Sequence, residues 1–306
     1  MSDIKANKDH NRYLNRMALS ANESTKYLLP SFFEGKKRIL DVGCADGVMM
    51  EKLQELNPNA EILGIDLCKE SINKAREKGL NAIYGDIRTI TTGYKFDGIL
   101  FSSVLHEISS YDENKPGGII PIYRALVNAR EMLTDDGIII IRDGVKDTNS
   151  QIIPFALINK DDEHFIKDYI RNVDKKMLKN AFSLNVFNRI NEHLDDYCCH
   201  YYGGLYAPVA PFYALPQNVL KEFLFTYTWG EASWDREIQE VFGILTTNKW
   251  IQTVSELKMN IDYISTSSEK YIEKIKEKVH IYNDKKMTLE NMFRESTITM
   301  ILSKKK

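Results

Sequence analysis

Apolar residues recur along this chain at two different spacings, and the changes between them divide it into four stretches. Over residues 1–35, Tyr13, Leu14, Met17, Leu28 and Leu29 stand on otherwise polar segments, a pattern that predicts helix. From residue 36, short apolar runs alternate with amphipathic segments. Arg38–Val42 (RILDV) ends in a glycine turn, and Val48, Met49, Leu53 and Leu56 follow at helical spacing until Asn57-Pro58 stops the helix. Glu61–Asp66 (EILGID) predicts a second strand, and Lys69–Lys78 a polar helix closed by Gly79. Asn81–Tyr84 predicts a third strand, Phe96–Phe101 a fourth and Ile138–Ile141 a fifth. A helix carrying Ile122, Leu126, Ala129 and Leu133 on one face lies between the last two. Strands alternating with helices predict βαβ units and a mostly parallel sheet, hence an α/β fold.

The alternation stops after Gly144. Residues 146–256 read as a helical insertion rich in aromatics, where Trp234, Ile238, Val241 and Phe242 mark one apolar helix face. Ser233 is the expected N-cap of that helix, and Gly243 stands just past its end. Strand-like runs return at Lys258–Ser265 and Thr297–Leu302, with a charged helix, Glu269–Val279, between them. The expected organisation is therefore a helical segment over 1–35, an α/β core over 36–145, an insertion after strand five over 146–256, and closing strands over 257–306.

Composition narrows the classes. With 43% hydrophobic and 27% charged residues the chain has ordinary globular usage, and 306 residues can bury a core without disulfides or metals. A formal net charge of −2 gives no global attraction to nucleic acid or to an anionic membrane. No apolar run reaches the roughly 18 residues of a membrane span. The polar N-terminus lacks the apolar stretch of a secretory signal. Cys44, Cys68, Cys198 and Cys199 form no CxxC pair, so a reducing, cytoplasmic setting is expected. Vicinal Cys198-Cys199, even with His193 and His200 nearby, lack zinc-ligand spacing, and no metal is expected.

The chemistry begins at the first turn. Asp41-Val42-Gly43-Cys44-Ala45-Asp46-Gly47 sits between a predicted strand and a predicted helix, where small residues let backbone approach a ligand and free N–H groups face it. It reads G-x-A-x-G, which does not fit the G-x-G-x-x-G of a nicotinamide dinucleotide site. Asp66 ends the second strand 19 residues beyond Gly47, close to the spacing at which an acid meets a ribose.

This loop resembles the first motif of class I S-adenosylmethionine-dependent methyltransferases, D-x-G-x-G-x-G. Asp41, Gly43 and Gly47 match, and Ala45 replaces the middle glycine. Gly85-Asp86-Ile87, Phe96–Leu100 and Glu131–Ile138 resemble the family's later motifs in order, so the likeness covers about Lys36–Asp143. The resemblance implies a Rossmann-like, mostly parallel sheet with an antiparallel last strand. It also implies S-adenosylmethionine as cofactor, held by Asp41, Gly43, Cys44, Ala45, Gly47, Asp66, Leu67, Asp86, Ile87, Ser102 and Ser103. Asp66 would take the ribose hydroxyls and Asp86 would lie near the adenine amino group. Family members often close the site with an N-terminal helix, which makes Tyr13, Arg16 and Met17 candidate lid residues.

Ligands in such sheets bind beyond the carboxyl ends of the strands, so the segment after strand four should line the site. His106 is there the candidate general base, since imidazole titrates near working pH; the alternative is a histidine that only shapes the pocket. Glu107, Arg142, Tyr202, Tyr206 and Trp229 are candidate acceptor-binding residues, with Arg142 and Asp143 alternatively an ion pair that braces the insertion. The leading functional reading is methyl transfer to an oxygen or nitrogen of a small molecule. RNA or another macromolecule as acceptor, and a non-catalytic cofactor-binding protein, remain open. The Pro-Pro-aromatic signature of amino-directed nucleic-acid methyltransferases is absent, because Ser102-Ser103-Val104-Leu105 stands in its place.

Overall fold

The computed structural model describes residues 25–112, 117–173, 212–267, 271–281 and 288–305. The predicted lid residues Tyr13, Arg16 and Met17, and Tyr202 and Tyr206 in the insertion, lie outside them. Seven strands form the main sheet. They are β1 (Arg38–Val42), β2 (Glu61–Asp66), β3 (Ala82–Tyr84), β4 (Phe96–Ser102), β5 (Leu133–Gly144), β8 (Met259–Ser267) and β10 (Thr297–Lys304), in the order β3-β2-β1-β4-β5-β10-β8. The first five pair in parallel, while β10 runs antiparallel to both β5 and β8. This is the sheet expected from the sequence, with its antiparallel last strand, β10, set between β5 and β8.

Parallel strands are covered on both faces and need near-continuous apolar runs. Ile39, Leu40, Ile99, Leu100, Phe101, Ile139, Ile140 and Ile141 are accordingly all buried. Residues of odd and even parity go to opposite faces, so Leu40, Ile99 and Ile141 join one core and Ile39, Leu100 and Ile140 the other. Helices α1 (Val48–Leu56) and α2 (Lys69–Glu77) cover the second face, with Met50, Leu53, Ile72 and Ala75 buried. Helix α4 (Ile119–Met132) and the later α8 (Thr247–Glu256) cover the first, through Ile122, Leu126 and Ala129 and through Trp250 and Val254. Leu133, expected on the face of α4, instead opens β5.

The insertion departs from the helical expectation. Strands β6 (Ile152–Leu157) and β7 (Phe212–Pro216) form a second, antiparallel sheet of order β7-β6-β9. Its third strand, β9 (Val279–Ile281), comes from the expected closing segment, and the charged helix predicted there shortens to α9 (Tyr271–Lys276). The physical cause is Val279 and the apolar contacts it gains beside β6, in a core that also takes Phe155, Phe165, Tyr169, Phe223, Tyr227 and Trp234. Helices α5 (Glu163–Val173) and α6 (Gln217–Thr228) pack against this sheet.

Two more local expectations change. The described part of the N-terminal segment is a 3-10 helix, Thr25–Phe33, which contains Pro30. The Trp234–Phe242 helix stops after one turn as α7 (Trp234–Glu237), and Ser233 makes no side-chain cap bond. Trp234, Ile238, Val241 and Phe242 are still buried, so the apolar stripe was read correctly and its regular helix was not. The backbone amides of Phe242 and Gly243 donate instead to the buried Glu222 carboxylate at 2.9 and 2.8 Å, which pulls the chain out of helix. Lys146 N–H donates to Leu245 O (2.9 Å), laying this return segment along the end of β5. Gly144 permits the approach, because a Cβ there would stand 2.0 Å from Phe242 O. Among the described residues, no helix is long and apolar enough to cross a membrane.

Candidate active site

The carboxyl ends of β1, β2, β3 and β4 converge because the strands pair in parallel register, with Val42 opposite both Ile65 and Phe101. After Val42 the chain must turn at once into α1. Gly43 has φ +72, and a Cβ on it would stand 2.4 Å from Val104 Cγ2, so glycine alone fits. The amides of Gly43 and Cys44 both donate to Ile65 O, at 2.9 and 3.1 Å. Ala45, standing where the motif has its middle glycine, also takes a left-handed conformation (φ +48). Its N–H donates to Asp66 Oδ2 at 2.9 Å, while Asp66 Oδ1 accepts the N–H of Cys68 at 2.7 Å. Asp66 thus ties the loop after β1 to the loop after β2, across the mouth of a cavity.

That cavity has a volume of about 320 Å³. Of the residues expected to hold a cofactor, Gly43, Ala45, Asp66, Leu67, Asp86, Ile87, Ser102 and Ser103 line it. Asp41, Cys44 and Gly47 lie behind the wall. Asp41 is 2% exposed, its Oδ2 has no hydrogen-bond partner among the described residues, and burial with the nearby Asp66 charge pushes its carboxyl up to about 8. The Cys44 side chain packs beside Gly64, where burial drives its thiol upward. Gly47 starts α1 in a left-handed conformation. Asp86 accepts two bonds from Arg88 Nε and one from its terminal nitrogen, and although burial raises its carboxyl, Arg88 prevails and holds it below its ordinary value.

A second cavity of about 50 Å³ adjoins the first and shares Ser103 and Glu107 with it. His106, Arg142 and Trp229 line it, so three more of the expected site residues meet there. His106 is on α3 (Leu105–Ser110), which begins directly beyond β4. Asp143 on β5 receives the N–H groups of Leu105 (2.8 Å), His106 (3.3 Å) and Gly144 (2.8 Å), and lies 2.7 Å from His106 Nδ1. The other ring nitrogen points at Glu240 Oε2, 3.5 Å away. Burial disfavours the imidazolium, but Asp143 and Glu240 outweigh it and hold the His106 pKa well above the ordinary value. Burial would likewise raise Asp143, and His106 with the amides of Gly144 and Leu105 keeps it low. Arg142 turns to Ser103 Oγ at 2.7 Å, while Asp143 pairs with His106.

Four groups here were missed by sequence reasoning. Tyr111 donates its hydroxyl to Glu240 Oε1 at 2.9 Å, and Arg236 lies against Glu107 (3.3 Å) and Glu240 (3.6 Å). Glu237 and Glu240 are 3% and 4% exposed, although both come from the return segment some 130 residues beyond His106. Burial, then the charge of Glu240, raises Glu107 to about 7. His106, Glu107 and Glu240 could each offer one atom to a cation within a 4.8 Å group, but the Arg236 guanidinium already supplies positive charge at two of them.

Residues 33–189, just over half of the chain, match a family described as a methyltransferase domain. The chain belongs to that family, and its strand order agrees with the class I, Rossmann-like type. Within it, 54 residues are 44% identical to the phycocyanin operon protein W of Pseudanabaena tenuis, covering 16% of this chain and 51% of that one. Over 77 residues the chain is 29% identical to the trans-aconitate 2-methyltransferase of Mycolicibacterium gilvum, 25% of this chain and 30% of that one. The chain thus aligns with about half or less of the length of these curated relatives. The plantazolicin methyltransferase BamL, solved with a triazolic desmethylPZN analogue and S-adenosylhomocysteine, shares the fold over 99% of this chain and 91% of its own, at 13% identity and a TM-score of 0.51.

Proposed function

We propose that this methyltransferase-family chain binds S-adenosylmethionine in the larger cavity and transfers its methyl group to an oxygen or nitrogen of a small molecule in the smaller one. The observation that carries the reading is the junction of the two cavities at Ser103 and Glu107, with Asp66 on one side and the His106–Asp143 pair on the other. The residues suit the cofactor. Asp66 keeps lone pairs for two ribose hydroxyls after accepting two backbone amides. Asp86 and Ile87 border the adenine side, and Gly43 leaves backbone bare where the chain must approach closely. Asp41 lies beneath the loop with one oxygen unpartnered among the described residues, and a cationic cofactor above it would favour the ionised form of this carboxyl, which burial holds up at about 8. When bound, the sulfonium supplies an electrophilic methyl group for in-line displacement.

The chain's own task is then positioning and proton removal. Holding an acceptor collinear with methyl and sulfur supplies much of the rate. His106, once neutral, takes the acceptor proton on Nε2, and Asp143 stabilises the resulting imidazolium through Nδ1–H. Arg142 and Trp229, with Glu107, border the acceptor, and the aromatic stretch of the insertion makes Tyr202 and Tyr206 further candidates for contact with it. The carboxylates around the smaller cavity disfavour a phosphate-rich acceptor such as RNA.

The test is to incubate the protein with methyl-labelled S-adenosylmethionine and fractionated cell extract, reading products by mass spectrometry. A labelled low-mass product formed together with S-adenosylhomocysteine supports the proposal. Label found only in RNA or protein overturns the choice of acceptor.

A further inference from the structure

With every group ionised, the four carboxylates of the smaller cavity outnumber the three cations in and against it, His106, Arg142 and Arg236. Asp143, Glu107, Glu237 and Glu240 all line it. Asp143 is taken by His106, and Glu107 and Glu240 by Arg236, with Tyr111 also on Glu240. Glu237 is different. It is 3% exposed and lines the cavity, and its side chain makes no hydrogen bond or close ion pair among the described residues, the nearby charges of His106 and Arg236 acting on it only at longer range. A buried carboxylate without a partner is costly, and such groups are normally paired or hydrogen-bonded. Burial, followed by the charges of Glu240 and Glu107, raises its proton affinity, consistent with a site short of one cation. The remaining wall is aromatic: Phe225, Trp229 and Phe242 border the same space. Aromatic faces beside a carboxylate attract an organic cation, whereas a metal ion prefers a shell of oxygen and nitrogen ligands.

We propose that the acceptor carries an amino group, and that Glu237 binds it as an ammonium against the Phe225, Trp229 and Phe242 wall. This rests on the cofactor reading above and deepens it from an unspecified oxygen or nitrogen to an amine. The ammonium N–H bond breaks and its proton passes to the neutral Nε2 of His106, giving an imidazolium held by Asp143 and Glu240. The freed nitrogen lone pair forms the bond to the methyl carbon. The carbon–sulfur bond breaks with its electron pair left on sulfur, so the products are a methylated ammonium and a neutral thioether. A phenol or carboxylate acceptor would instead bring an anion into contact with Glu237 and Glu240, and is disfavoured.

Probes built on the cofactor test this without knowing the acceptor. S-adenosylhomocysteine analogues with nitrogen in place of sulfur can carry a 3-aminopropyl, a 3-hydroxypropyl or a propyl arm reaching from the cofactor cavity into the smaller one. Calorimetry on the full chain is expected to give at least tenfold tighter binding of the aminopropyl analogue than of the other two. Glu237→Gln should remove that advantage while leaving the propyl analogue within threefold, with thermal melting confirming that the variant is folded. Equal binding of the three analogues by wild type overturns the amine assignment, whatever the variant does. Binding of none of them, nor of S-adenosylhomocysteine, fails the cofactor reading instead, and the amine assignment falls with it. Micromolar Mn2+ binding by electron paramagnetic resonance, lost in Glu240→Gln, would overturn the proposal in favour of a metal site.

Discussion

Replacing Asp143 should cost the fold more than any single surface change and should also alter its response to pH. The side chain is 1% exposed and satisfies three backbone amides as well as the His106 ring. Asp143→Ala leaves three buried donors without partners and a buried imidazole without its counter-charge. Breaking a buried, hydrogen-bonded pair from one side costs about 3–5 kcal/mol. Asp143→Asn keeps the shape and one acceptor oxygen but removes the charge, so it should cost less, about 1.5–3 kcal/mol for a hydrogen bond to a charged group. The folded His106 pKa is raised, so its stabilisation is complete below the unfolded value of about 6.5 and is lost as pH rises through the folded value. The depressed carboxyl of Asp143 acts at the other end, its contribution being lost as pH falls through its folded value. Wild type should therefore lose stability on the alkaline side of pH 7, and Asp143→Asn should lose much less. Asp41, raised to about 8 by burial and Asp66, is unaffected by the substitution and cancels in the comparison. Urea unfolding followed by tryptophan fluorescence, at pH 6.5 and pH 9.5, reads the difference. The reasoning is refuted if Asp143→Ala costs less than about 1 kcal/mol, or if both proteins lose the same stability over that interval.

Three further outcomes follow from the geometry. Gly43→Ala forces a side chain onto a left-handed residue and against Val104, so it should destabilise by about 1–3 kcal/mol and weaken cofactor binding, read by denaturation and calorimetry. His106→Ala should lower turnover about 100- to 10,000-fold with cofactor affinity little changed, and the wild-type rate should rise with pH through a pKa above 6.5; an acidic limb at or below 6.5 would contradict the His106 assignment. Replacing Tyr202 and Tyr206 together by alanine should leave cofactor affinity within about threefold, roughly 0.7 kcal/mol, while abolishing or redirecting methylation in the product assay.

The lining of the larger cavity was legible because it gathers at strand ends that local pattern locates, and the family resemblance named the residues standing there. Short apolar runs ending at Val42, Asp66 and Phe101 locate the strand ends, and parallel pairing then brings those ends together. Asp66 could be named from one strand end and one spacing. The other half depends on contacts distant in sequence. Glu237 and Glu240 reach His106 only because Glu222, Gly144 and Leu245 fasten the return segment to the end of β5, and no local period encodes that. One signal was present in the sequence. Glu237 and Glu240 are interleaved with the apolar stripe Trp234, Ile238 and Val241, with Glu237 three residues beyond Trp234 and so on the stripe's own helical face. The second sheet was missed for a related reason. The run at Val279–Ile281 is only three residues long and gains its strand character from β6, far away in sequence.

Calorimetric titration of S-adenosylhomocysteine into wild type and Asp66→Ala tests the central claim most directly. Wild type should bind one equivalent, and the variant should bind about 1.5–3 kcal/mol more weakly, the range for hydrogen bonds to a charged group. The loss has two sources: the ribose contact, and the Ala45 and Cys68 amides that Asp66 now holds in place. A folded wild-type protein that binds no S-adenosylhomocysteine, or binds it equally well without the Asp66 carboxylate, would contradict the account.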